Sequence, residues 1–242
     1  MNNVFCFHGS DHKVGVSQLS QCVAEYIALE YPDKSVMLVH SDGCCGENYS
    51  IGIGESMDHI RPYLADRLIN IDELKTRSHW KNNLYIIGGA KNPESGFSLN
   101  PDMSEFLLKE IAPEFDVVIC DSGAEINYGM ALGTLFAADF IYLVISQTES
   151  SVNRYEWQRT LYRNLALNID RFIVNRYDRG SLYSKSYIAE RLNCQANGLL
   201  CVRSHKKGFE SETDKKSLLF YRDPQFRKDI GIIAEDMLCR IS

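Results

Sequence analysis

The residues of this chain that could do chemistry gather in a few short segments, each placed where an apolar run gives way to polar residues. The first is the loop 8–18, HGSDHKVGVSQ, which follows a short apolar run and precedes a helical pattern. Backbone N–H groups at such a strand–loop–helix junction can hold a phosphate, and in an open α/β sheet ligands sit beyond the carboxyl ends of the strands. Asp42 and Asp121 close two other apolar runs, where an aspartate serves either as a metal or switch ligand or as a turn and cap former. His8, His12 and His40 lie at the same ends and suggest a metal if they converge; otherwise His40 only hydrogen-bonds to the loop. Cys44 and Cys45, flanked by Gly43 and Gly46, could bind metal or sense redox state, although no further ligands stand nearby at zinc spacing.

These segments need elements to position them. Apolar and β-branched runs at 3–7 (NVFCF), 35–39 (SVMLV), 83–87 (NLYII), 116–120 (DVVIC), 140–145 (FIYLVI), 171–174 (RFIV) and 199–202 predict strands. Between them, helical spacing of apolar residues predicts helices over 17–29, 101–111, 127–138, 151–165 and 184–192. A closing amphipathic helix over 229–241 would turn Ile232, Ile233, Met237 and Ile241 inward. Continuous apolar strands suit a parallel sheet covered on both faces. Strands alternating with helices imply right-handed crossovers and a doubly wound α/β sheet. The loop 47–61 is too short to be a domain and no linker interrupts the pattern, so one domain over 1–242 is expected.

Composition agrees. Hydrophobic residues make up 45% and charged residues 24%, which allows a large core and argues against disorder. No apolar run approaches the roughly 18 residues needed to span a bilayer, and no signal-peptide pattern opens the chain, so a cytoplasmic protein without an integral membrane segment is expected. The eight cysteines show no C-x-x-C pair and are expected as free thiols. A net charge of −6 argues against nucleic-acid binding by the whole surface. Locally, residues 203–228 carry eight basic against four acidic residues, net +4, a possible grip on DNA phosphates or a solvated face.

The loop 8–18 resembles the deviant Walker A motif of the ParA/MinD family of P-loop ATPases, K-G-G-x-G-K-[ST]. Laid residue by residue, Gly15 falls on its third glycine and Ser17 on the Mg²⁺-ligating hydroxyl. Asp11 stands at the signature lysine, His12 and Lys13 at the first two glycines, and Val16 at the phosphate lysine. SVMLVHSDG is similar to V-L-L-V-D-x-D, with His40 at the first aspartate and Asp42 at the second. FDVVICDSGAEIN is similar to the Walker B stretch, with Asp121 retained, Gly123 in place of proline and Glu125 in place of glycine. The segments 131–154 and FIVNRYD continue the resemblance, Asn175 matching the asparagine that reads the base. The branch of TadZ/CpaE proteins, which tolerates a small residue at the phosphate lysine, resembles it in that respect.

The resemblance implies a P-loop NTPase fold, ATP and Mg²⁺ as cofactors, a homodimer and protein partners. It places nucleotide contacts at Gly9, Lys13, Gly15, Ser17, Gln18 and Asn175, Mg²⁺ ligands at Ser17 and Asp121, and water orientation at Asp42. The departures work against turnover. Val16 brings no charge to the phosphates, and a lost charge-assisted contact commonly costs about 1.5–3 kcal/mol. Asp11 and Glu125 add like charge, although Glu125 could alternatively act as a base. Lys13 could swing in to replace the lost lysine. Three functions follow: a positioning scaffold with weak or absent hydrolysis, an ATPase rewired through Lys13, or a DNA-partitioning protein using 203–228.

Overall fold

A computed structural model describes residues 2–42 and 49–241. The chain begins with β1 (Val4–Gly9), α1 (Val16–Glu30) and β2 (Val36–His40). It continues through β3 (Glu55–Ser56), α2 (Met57–Asp66), α3 (Ile71–Ser78), β4 (His79–Lys81), β5 (Leu84–Gly88), α4 (Pro93–Ser98) and α5 (Pro101–Ile111). Then come β6 (Val117–Asp121), α6 (Ala131–Ala137), β7 (Phe140–Ser146), α7 (Glu149–Asn164), β8 (Arg171–Tyr177) and α8 (Lys185–Leu192). The last elements are β9 (Leu199–Arg203), α9 (Gly208–Asp214) and α10 (Pro224–Ile241).

The strands form one sheet in the order β3-β5-β2-β6-β1-β7-β8-β9, parallel throughout except for β4, which pairs antiparallel with β5. β1 lies between β6 and β7, so its register places Phe7 opposite Asp121 on one side and Tyr142 on the other. Every parallel strand therefore ends at the same edge, and the loops after β1, β2, β6 and β8 open there together.

Alternation along each strand splits the core between two faces. Phe5, Phe7, Leu38, Ile119, Tyr142 and Val144 pack on one face against α1 and α10, burying Leu19, Val23, Ile27, Ile230, Ile233 and Met237. On the other face Met37, Val39, Val118 and Cys120 meet α2 and α5, while Leu143, Ile145 and Val174 meet α7 and α8. The doubly wound, mostly parallel sheet with helices on both faces is thus present.

Local chemistry sets the element ends. Asn100 accepts from the Met103 N–H and Pro101 opens α5; Thr148 and Ser184 cap α7 and α8 in the same way. Some boundaries differ from the sequence pattern. The helix expected over 127–138 begins only at Ala131, after a turn in which Tyr128 N–H donates to the Glu125 carbonyl. The final helix starts earlier, at Pro224; Ile233 and Met237 face inward as expected, joined by Phe226, Ile230 and Ala234, and Ile241 packs against the same core, whereas Ile232 faces solvent at 44% exposure. Within 47–61, expected as loop, β3 adds a parallel partner to β5 and α2 begins. No helix among the described residues is long and apolar enough to cross a membrane.

Candidate functional site

At the carboxyl edge of the sheet lies a cavity of 550 Å³, walled by the loop 11–18, Asp42, Tyr49, Ser122–Glu125, Tyr128, Arg176 and Glu212. The roots of the loop are held by neighbouring strands. Gly9 N–H donates to the Gly123 carbonyl at 2.7 Å, and Ser10 N–H to the Val144 carbonyl at 2.9 Å. Ser10 Oγ also meets Ser151 Oγ at 2.8 Å.

The loop itself turns through two left-handed residues, Lys13 at φ 58° and Gly15 at φ 92°. Gly15 is required twice over, because a Cβ there would also lie 2.5 Å from Asn175 Nδ2. α1 starts with Gly15 at its N-cap, no side-chain cap and no acidic residue in its first turn, the setting in which helix N–H groups receive an anion. Val14 and Val16 border the cavity but are only 2% and 6% exposed and pack into the core with Gly9 beside them.

Asn175, expected at the base, has both ends of its amide engaged inside the protein. Its Nδ2 donates to the Val14 carbonyl at 2.9 Å and its Oδ1 accepts from Arg176 N–H at 2.9 Å. It also borders a smaller pocket of 100 Å³ with Gly15, Gln18, Tyr49, Arg203 and His205. Gln18 is tied to α9, accepting from Ser211 Oγ at 3.1 Å.

The three histidines do not converge; each takes its own partner. His40 Nδ1 stands 3.1 Å from Asp121 Oδ2, with the two side chains 3% and 0% exposed. Burial alone would push the Asp121 carboxyl up, but the hydrogen bond and charge of His40, with hydrogen bonds from Ser17 and Gly123, hold it below the usual carboxylate range. Burial would likewise lower His40, and Asp121 overcomes this and raises it. His8 Nδ1 lies 2.9 Å from Ser122 Oγ, and burial pushes its imidazole down to about 4, so it is neutral. His12 is exposed and bonds to Glu125 Oε1 at 2.7 Å, an oxygen that Arg154 Nη2 also reaches at 3.2 Å. Among the described residues no group of His, Cys, Asp and Glu is placed to hold a metal ion.

The fit to the expected cofactors is therefore divided. The loop geometry suits a phosphate. Ser17 hydrogen-bonds to Asp121, the two residues that would hold Mg²⁺, and the same carboxyl takes the His40 imidazole at Oδ2. Asp42 borders the cavity close to Gly123, where a Cβ would lie 2.8 Å from that of Asp42. Lys13 and Arg176 line the cavity together; Arg176 follows Asn175 in the FIVNRYD segment, whereas Tyr49, Tyr128 and Glu212 had no sequence signal that marked them.

Outside the cavity, the basic segment 203–228 is spread over β9, α9 and the start of α10. Arg203 forks onto Asp229 at 2.7 and 3.1 Å, Lys207 pairs with Glu210 at 2.6 Å, and Arg227 pairs with Glu30. Buried Cys6 and Cys22 are free thiols pushed up to about 12 by desolvation, which leaves them inert. Cys44 and Cys45 lie outside the described residues.

Sheet order, the loop after β1 and the helix start behind it define a P-loop NTPase-type α/β fold. More narrowly, it is the ParA/MinD-like fold. The ParA family ATPase from Chlorobium tepidum TLS superimposes with a TM-score of 0.83 at 19% identity, over 97% of this chain and 99% of that one. The cell division ATPase MinD of Pyrococcus furiosus gives a TM-score of 0.80 at 14% identity, over the whole of both chains. The septum site-determining protein MinD of Pyrococcus horikoshii OT3, complexed with Mg-ADP, gives 0.68 at 17% identity, over 98% of this chain and 96% of that one. No family profile matches the sequence, and no curated protein matches it.

Proposed function

We propose that this chain is a degenerate ParA/MinD-like recruiting module: a cytoplasmic homodimer, folded as one domain over 1–242, that binds nucleotide weakly, hydrolyses it little or not at all, and positions a protein partner. The observation that carries this is Val16. The position of the phosphate lysine is filled by a side chain 6% exposed and packed inward, with no charge to offer. The lost charge-assisted contact, about 1.5–3 kcal/mol, corresponds to roughly ten- to hundredfold in affinity.

Two further features support it. Asp11, Asp42, Glu125 and Glu212 line the cavity against Lys13 and Arg176, an excess of negative charge that disfavours a triphosphate. A Mg²⁺ ion at Ser17 and Asp121 would sit beside the His40 imidazole, which already supplies the Asp121 carboxylate with a partner.

Calorimetric titration of the purified protein with ATP, ADP and GTP, with and without Mg²⁺, tests the proposal alongside phosphate release. The expected result is binding no tighter than millimolar, unchanged by Mg²⁺, and release at background. Micromolar, Mg²⁺-dependent ATP binding with turnover would overturn it.

An ATPase rewired through Lys13 is the alternative, favoured by the placement of Lys13 in the cavity wall at a left-handed φ where the motif carries glycine. In that case Lys13→Ala abolishes Mg²⁺-dependent turnover. Partitioning of DNA through 203–228 is less supported, since Arg203, Lys207 and Arg227 are each paired with a carboxylate. A steep loss of DNA binding with salt, weakened by neutralising Lys206 and Lys207, would restore it.

A further inference from the structure

Across Tyr49 from the P-loop cavity, a second concavity of 330 Å³ opens between α1, the turn joining β4 to β5 and the segment 215–220. Its walls are apolar and stand out into solvent: Leu29 is 53% exposed, Ile51 63% and Phe220 61%. Single exposed apolar residues need no explanation, but three around one hollow, with Trp80 beside them, form a patch of the kind that marks an interaction site. Trp80 is held in place, its indole N–H donating to the Ile51 carbonyl at 3.0 Å, so part of the wall is preorganised.

The charges around this groove have one sign at the rim and a satisfied opposite at the floor. Lys81 Nζ lies 4.0 Å from the Trp80 ring centroid and Lys216 Nζ 4.1 Å from that of Phe220, while Lys215 stands next to Lys216 at a left-handed φ of 51°. Each stacked ammonium keeps donors for a partner on the side away from its ring. The floor carboxylate, Glu25, accepts from Gln21 Nε2 at 2.8 Å and from the Ser217 hydroxyl, so it is committed within the protein. A cationic rim around an apolar hollow thus sits on a chain of net charge −6.

We infer that this groove docks an acidic segment of a protein partner, seating an aliphatic or aromatic side chain between Leu29, Ile51 and Phe220 and pairing its carboxylates with Lys81, Lys215 and Lys216. The volume falls at the lower end for binding sites, about 300–1,000 Å³, which suits one or two side chains rather than a whole helix face. The apolar residues form a hollow rather than a plane, which favours a peptide anchor over a lipid surface. Electrostatic complementarity supplies the selection among partners. The inference rests on the recruiting part of the function proposed above. The two are tested by different readouts: the cavities share Tyr49 in their walls, but nucleotide calorimetry reports on the P-loop cavity, and Trp80, which lines only the groove, reports on the groove.

The full chain with Trp157→Phe leaves Trp80 as its one tryptophan and serves as reporter. It is titrated with a synthetic peptide of glutamates interspersed with leucine and phenylalanine, with the same peptide carrying lysine at every glutamate, and with phosphatidylglycerol vesicles. The expected result is a saturable shift of Trp80 emission with the acidic peptide only, weakened roughly tenfold or more by Lys215→Glu with Lys216→Glu and by Leu29→Asp. Thermal melts confirm that these surface variants fold. Equal response to both peptides, a response to vesicles without one to the acidic peptide, no response, or binding insensitive to the substitutions would each overturn the inference.

Discussion

His40 and Asp121 form an imidazole–carboxylate pair, 3.1 Å apart and almost wholly buried, at the strand ends where the P-loop resemblance places carboxylates around a divalent cation. The two residues end neighbouring strands and are paired in register in the sheet. The Asp121 carboxyl is therefore met by an imidazole of the chain itself.

Removing one member of such a buried pair strands the other. His40→Ala is expected to destabilise the protein by about 3–5 kcal/mol, measured by urea unfolding. Adding Asp121→Asn should recover part of that loss, because the uncompensated charge is then gone. A loss below about 1 kcal/mol for His40→Ala would show that Asp121 finds another partner.

Gly15 and Asn175 should prove coupled. Gly15→Ala puts a Cβ 2.5 Å from Asn175 Nδ2 at a φ of 92°, and is expected to cost about 2 kcal/mol or more. Asn175→Ala loses the bond to the Val14 carbonyl and costs about 1 kcal/mol. In the double variant the clash is relieved, so the combined loss falls short of the sum; additivity in the double-mutant cycle would refute the contact.

Restoring the missing lysine should not restore turnover. Val16→Lys places a charge in a packed position beside Gly9 and is expected to lower stability by about 1–3 kcal/mol, roughly 2–12 °C in Tm for a chain of this size. Phosphate release should stay at background, since the His40–Asp121 pair remains. Mg²⁺-dependent release from this variant would mean that Val16 alone had silenced the site.

Acid should weaken the fold through His8. Its folded value of about 4 lies below the ordinary 6.5, so between these the unfolded chain binds the proton and the folded one does not. Stability therefore falls as pH drops through that window, by up to about 3 kcal/mol from this residue. His40 acts in the opposite sense: its raised folded value adds stability in acid that is lost as pH rises through it. Urea midpoints between pH 7.5 and 4.5 should drop less in His8→Asn than in the parent chain.

Much of the fold was legible because parallel strands buried on both faces must be continuously apolar, as 36–39, 117–120 and 140–145 are. Gly15 was legible through its place on the third glycine of the motif the loop resembles, and its left-handed φ gives the physical reason a glycine stands there. Ile232 was misplaced because helical spacing predicts a stripe without saying which neighbour bounds it; the face that packs on the sheet carries Phe226, Ile230, Ile233, Ala234 and Met237, and Ile232 lies outside it. The segments around β3 and β4 are only two and three residues long, too short for periodicity to register.

By itself, then, the amino-acid sequence determined the alternation of strands and helices, the loop at 8–18 between the first strand and helix, and the valine rather than lysine at position 16, since each is a matter of residue type and near-neighbour spacing. The tertiary structure alone decided which charges meet. His40 and Asp121 are 81 residues apart, Val14 and Asn175 161, and Gln18 and Ser211 193. No local pattern encodes such pairs, because a polar side chain takes whichever partner the packed sheet brings within hydrogen-bonding reach, and burial makes leaving it unpaired too costly.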